Sequence, residues 1–139
     1  MDPSPLASES EHPCIRVLIV DDMPQVREEL RVLVQISNEF EVIGESGNGQ
    51  DAIRQAELLH PDVIIMDMEM PILDGLQATI QIKRLKLARR VVILSVHSEP
   101  EDICRAMQAG ADIFIQKGSL YSTLMEAINP KQTKQGEKK

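Results

Sequence analysis

The sequence predicts an α/β fold in which five parallel strands are sandwiched between helices. Three observations predict it. Short, β-branched apolar runs alternate five times with stretches of helical periodicity. The run Val63-Ile64-Ile65-Met66 carries no polar residue, as expected of a strand buried on both faces. The runs also end abruptly in polar groups: Asp21-Asp22, Asp67, Ser95 and Gln116-Lys117. Right-handed βαβ connections then place helices on both faces of one sheet.

Each element has its own signal. Ile15 to Val20 reads as the first strand, and Pro24 suits the first turn of a helix whose apolar face is Val26, Leu30, Leu33 and Val34. Arg27, Glu28, Glu29 and Arg31 fall elsewhere around that helix. Glu41 to Ser46 is a short second strand, and Gly47-Asn48-Gly49 turns the chain. A second helix carries Ala52, Ile53, Ala56 and Leu59 and stops at Pro61. The central strand ends at Asp67. Pro71 blocks its continuation, Asp74-Gly75 is a turn signal, and a third helix starts near Leu73 or Gly75 and runs to about Leu85. Val91 to Leu94 is the fourth strand. Glu99 to Gly110 is a fourth helix with Ile103, Ala106 and Met107 inward and Gly110 at its C-cap. Ile113 to Ile115 is the fifth strand, and Leu120 to Ile128 the last helix, capped by Ser119.

The 139 residues suit one domain, expected over 14–129. Residues 1–13 read as a disordered N-terminal extension, and 130–139 as a polar tail or truncated linker. No apolar run approaches the ~20 residues of a membrane span. The polar N-terminus is no secretory signal, so a cytoplasmic protein is expected. Cys14 and Cys104, lacking metal-type spacing, are expected to be reduced and structural. A net charge of −7 argues against a grip on nucleic acid by this domain, and one Tyr, two Phe and no Trp leave no stacking platform.

In a parallel sheet the strand ends converge on one edge. With the second strand outside the first, the order is 2-1-3-4-5, and the acids gather where the winding reverses. Asp21, Asp22 and Asp67 cannot share a small site without raising one another's pKa or recruiting a cation. Oxygen donors with room for water favour Mg²⁺. A carboxylate beside a divalent cation and Lys117 is poised as a nucleophile toward phosphorus, and Ser95 can donate to a phosphoryl oxygen. Met66, Met68 and Met70 are expected to fill core gaps, and His97 to be a solvated loop residue.

At this point the chain resembles the receiver domain of the two-component response regulators, over about residues 15–128. Asp21-Asp22, the Asp67 stretch with Met70-Pro71 and Asp74-Gly75, Ser95 and Lys117 carry the likeness. DDMPQVREEL, GESGNGQDAI and AGADIFIQKGS are most similar to the NarL/FixJ (LuxR-type) subfamily, whose members usually carry a C-terminal helix-turn-helix. The resemblance implies a flavodoxin-like (βα)5 three-layer sandwich. It implies that Asp67 accepts a phosphoryl group from a phosphohistidine of a sensor histidine kinase or phosphotransfer protein. It implies Mg²⁺ held by Asp22, Asp67, Asp21 partly through water, and the backbone carbonyl of Glu69. Lys117 and Ser95 bind phosphoryl oxygens, and Ser95 with Phe114 switches a surface formed by the fourth helix, fifth strand and fifth helix. That surface, or another helical face, is a possible homodimer interface. Such a protein is a phosphoacceptor switch that catalyses only its own phosphorylation and dephosphorylation. Its output is expected to be transcriptional, and a stand-alone relay is the alternative.

Two departures stand out. Phe114 occupies a position where Tyr is common and cannot donate a hydroxyl bond. Gly118 follows Lys117 where many relatives have Pro, so no cis-proline is expected. Three rivals remain. A haloacid-dehalogenase-like phosphatase wants a second acid two residues after the nucleophile, where only Glu69 stands. A flavodoxin-like electron carrier needs a hydroxyl- and Gly-rich phosphate loop after the first strand, where Asp21-Asp22-Met23-Pro24 would repel a phosphate. An unphosphorylated interaction module does not need the acid–Ser–Lys set.

Overall fold

In the computed structural model, residues 14–119 and 121–129 are described. Strands and helices alternate: β1 (Ile15–Val20), α1 (Pro24–Val34), β2 (Phe40–Ser46), α2 (Gly49–Leu59), β3 (Val63–Asp67), α3 (Gly75–Arg84), β4 (Arg90–Ser95), α4 (Pro100–Gln108), β5 (Ile113–Gln116) and α5 (Tyr121–Ile128). All strand pairs are parallel, in the order β2-β1-β3-β4-β5. The expected sheet order is therefore observed. The expected extensions at 1–13 and 130–139 lie outside the described residues.

Side-chain alternation along the strands splits the core into two layers. Leu18, Val20, Ile64, Met66, Val91 and Ile93 pack against α2, α3 and α4. Val17, Ile19, Val63, Ile65, Val92 and Leu94 pack against α1 and α5. Every residue of β3 is buried, because helices cover both of its faces. Met66 and Met68 are core residues and Met70 packs at the core margin, as expected.

Helix starts follow local chemistry. The Asn48 side chain accepts from Asp51 N–H, and the Asp74 side chain from Gln77 N–H, at 2.8 and 2.9 Å. Both satisfy donors that a first helical turn leaves free. Gly110, at φ 106°, ends α4. Its N–H donates to Met107 O while Ala111 N–H donates to Ala106 O, which is a Schellman closure.

Two expectations are corrected. Ile103 and Met107 do not face inward: they are 38% and 43% exposed, and only Ala106 of α4 is buried. The helix packs on β5, the edge strand, so little sheet lies beneath the positions flanking Ala106. Cys14 and Cys104 are free, the reduced state expected, but both are exposed and not packed as structural groups. The Ser119 hydroxyl donates to Gln116 O at 2.7 Å, closing the turn before α5. Leu120, the expected first residue of that helix, lies outside the described residues.

Candidate functional site

The site is assembled by strand register. Val20 pairs with Met66, so the next residues along, Asp21 and Asp67, leave the sheet side by side. Asp21 is anchored by its N–H to Ser46 O at 3.0 Å. Its Oδ1 accepts from Met23 N–H at 2.9 Å, which turns the chain outward and leaves Asp22 exposed. Asp21 and Asp67 are buried. One carboxylate oxygen from each of Asp21, Asp22 and Asp67 lies within 4.8 Å of the others.

Lys117 arrives from β5. Its N–H donates to Ser95 O at 2.8 Å, tying the ends of β4 and β5 together. Its Nζ lies 2.9 Å from Asp21 Oδ2 and 3.2 Å from Asp67 Oδ1. Burial pushes the Asp67 carboxyl up, and the neighbouring Asp21 charge adds to it. Lys117 and the Glu69 backbone N–H oppose them, leaving a pKa of about 6. Burial also works against the Lys117 ammonium, but the Asp21 and Asp67 carboxylates outweigh it and hold its pKa above the ordinary lysine value. At neutral pH the site therefore holds a mostly ionised, unusually basic carboxylate against a cation.

The loop after Asp67 is held by two glycines. Gly75 N–H donates to Met68 O at 2.9 Å, and Gly49 N–H to Leu73 O at 2.8 Å. A Cβ on Gly75 would lie 2.0 Å from Asp67 O, so only glycine lets α3 start this close to the acid. Ser95 is buried, and its Oγ accepts from His97 N–H at 3.0 Å. Phe114 is buried in the layer facing α2, α3 and α4. His97 is exposed, as expected, but has a partner: its Nε2 lies 3.4 Å from Glu69 Oε1 across the rim.

The structure thus brings Asp21, Asp22, Asp67 and Lys117 together, with Ser95 at the next strand end. One residue escaped the sequence reading. Arg27, placed there among the outward polar residues of the first helix, sends Nη1 to Asp21 O at 2.7 Å and Nε to Glu45 Oε1 at 3.1 Å. No sequence signal announces the partner in β2. The donor set fits a hard divalent cation: three convergent carboxylates, oxygen only, one of them open to water. Among the described residues no helix is long and apolar enough to cross a membrane.

A cluster of acids closed by a lysine, at the reversal point of a doubly wound sheet, defines a phosphoacceptor switch module. The chain belongs to the response regulator receiver domain family, whose profile matches residues 17–129. It is 33% identical over 113 residues to the nitrate/nitrite response regulator protein NarL of Escherichia coli, covering 81% of this chain and 52% of that protein. It is 38% identical over 114 residues to the response regulator protein VraR of Staphylococcus saprophyticus, covering 82% and 54%. A solved LuxR-family DNA-binding response regulator from Staphylococcus aureus superposes with a TM-score of 0.77 at 28% identity, covering 83% of this chain and 96% of that one. The chain spans about half the length of the curated relatives it matches. The family and the NarL/FixJ subfamily are those the sequence motifs pointed to. A receiver is a phosphoacceptor switch, not a turnover enzyme, which removes the phosphatase and electron-carrier readings.

Proposed function

We propose that Asp67 is the phosphoacceptor of this receiver and that domain 14–129 is its functional unit. The observation that carries this is the packing of Lys117 Nζ against both Asp21 and Asp67 at the mouth where three carboxylates meet. An Asp67 carboxylate oxygen attacks phosphorus in line. The P–N bond of the donor phosphohistidine breaks, and the imidazole leaves with the bonding pair. A pKa of about 6 keeps the nucleophile ionised at pH 7 yet more basic than an ordinary aspartate. Lys117 moves from Asp67 onto a phosphoryl oxygen, and Ser95 turns its hydroxyl from the His97 N–H to another.

The residues suited to Mg²⁺ are Asp22, Asp67, Asp21 through water, and the Glu69 carbonyl. When bound, the ion neutralises charge on the phosphoryl oxygens. The donor is a sensor histidine kinase or phosphotransfer protein. Movement of Ser95 with Phe114 alters the α4-β5-α5 surface, where a second copy of the chain can dock. The output is transcriptional and cytoplasmic. The DNA-binding, LuxR-family description of the Staphylococcus aureus structure supports that reading over a stand-alone relay.

The test is intact mass after incubation with Mg²⁺ and acetyl phosphate. One alkali-labile phosphoryl group is expected on the parent and none on Asp67→Asn. Absence of an adduct, with a phosphohistidine protein donor also failing, would refute the assignment.

A further inference from the structure

We propose that Arg27 is a positioning residue for the cation site, holding the acidic turn Asp21–Met23 in register through the Asp21 carbonyl. The inference rests on the proposed Mg²⁺ site but assigns a role to a residue outside it, Arg27. Every polar atom of Asp21 has a partner. Its N–H is held by Ser46 O, and its Oδ1 and Oδ2 by Met23 N–H and Lys117 Nζ. Its carbonyl is held by Arg27 Nη1, at 2.7 Å. Of these, the Arg27 contact alone comes from a helix. It is charge-assisted, and it is directional because the guanidinium is pinned at its other side by Glu45. Glu45 is itself shared with Arg31, whose Nε lies 2.8 Å from Oε2. Gly47 lies beside this contact: a Cβ built there would be 3.4 Å from Arg27 Nη1, ordinary contact distance.

The consequence is geometric. Asp22 is exposed, and among the described residues its carboxylate accepts no hydrogen bond. Its position is set by the main chain it hangs from, and the carbonyl before it is the one Arg27 grips. Releasing that carbonyl lets the turn rotate and spreads the three carboxylates. A lysine cannot replace the fork, since one ammonium does not span Glu45 and the Asp21 carbonyl with fixed geometry.

The test is calorimetric titration of the full chain with MgCl2, paired with amide hydrogen exchange at Met23 in metal-free protein. Arg27→Met is expected to weaken Mg²⁺ binding about tenfold, the lower end of what partners orienting a metal ligand contribute. It should also speed exchange at the Met23 amide. Arg31→Met, which loses the same glutamate but touches no part of Asp21, should stay within about twofold of the parent in both readouts. Arg27→Lys should fall between. Parent-like affinity and exchange in a folded Arg27→Met, or equal losses in Arg31→Met, would overturn the proposal. Should Arg27→Met fail to fold, Arg27→Lys decides alone, because full parent affinity there would reduce Arg27 to bulk charge. Failure of the Mg²⁺ reading is distinguishable: the parent itself would give no binding heat, and the exchange arm would still decide whether Arg27 holds the turn.

Discussion

Replacing Asp67 by Asn should stabilise the metal-free protein, and only above about pH 4. The carboxyl is raised from 3.8 to about 6, by burial first and by Asp21 second. At about 1.4 kcal/mol per unit, ionising it costs the folded chain about 3 kcal/mol. The site opens to water, which screens that figure to roughly 1–2 kcal/mol. The sign follows from proton counting. Between about pH 4 and 6 the folded chain keeps a proton that the unfolded chain has released, so stability falls as pH rises through that window and is level beyond it. Asn carries no such penalty, and Lys117 keeps Asp21 as its partner. Urea unfolding followed by far-UV circular dichroism in EDTA, from pH 4 to 8, reads the difference. The Asn variant should match the parent near pH 4 and exceed it by roughly 1–2 kcal/mol at pH 7.5. Saturating MgCl2 should then close the gap, since a cation rewards the ionised form. A difference that does not change with pH, or an Asn variant weaker than the parent at pH 7.5, would refute the reasoning.

Two further outcomes follow from backbone geometry. Gly75→Ala places a methyl 2.0 Å from Asp67 O and 2.9 Å from its carbonyl carbon, where only main chain can yield; a loss of about 2–3 kcal/mol in urea unfolding is expected, together with loss of phosphorylation by acetyl phosphate. Ile72 sits at φ 71° with its side chain 74% exposed, a left-handed conformation that a β-branched residue resists. Ile72→Asn should therefore raise stability by about 0.5–1 kcal/mol, measured as a higher urea midpoint.

The sequence by itself determined the sheet, its order and the strand-end chemistry. Those signals are local: a buried parallel strand must be apolar throughout, as Val63 to Met66 are, and its last residue must bear the site's functional group. Parallel register then carries Asp21, Asp67, Ser95 and Lys117 to one edge without further instruction. Helix faces were less legible where the surroundings, not the periodicity, set burial. Ile103 and Met107 have helical spacing around Ala106, yet α4 rides the sheet edge and leaves them in water. Cys14 and Cys104 are exposed for the same kind of reason, since composition says what a side chain prefers and not what is built over it. Only the tertiary structure decided the electrostatics. A pKa of about 6 for Asp67 depends on how deeply α3 and its Gly75 close over the acid and on how near Asp21 lies. Arg27 likewise reads as one more charge on an outward face until folding brings β2 beside α1. Glu45, eighteen positions away, then aims its guanidinium at the Asp21 carbonyl. A hydrogen bond between distant segments has no period and no propensity, so it exists only once the chain has packed.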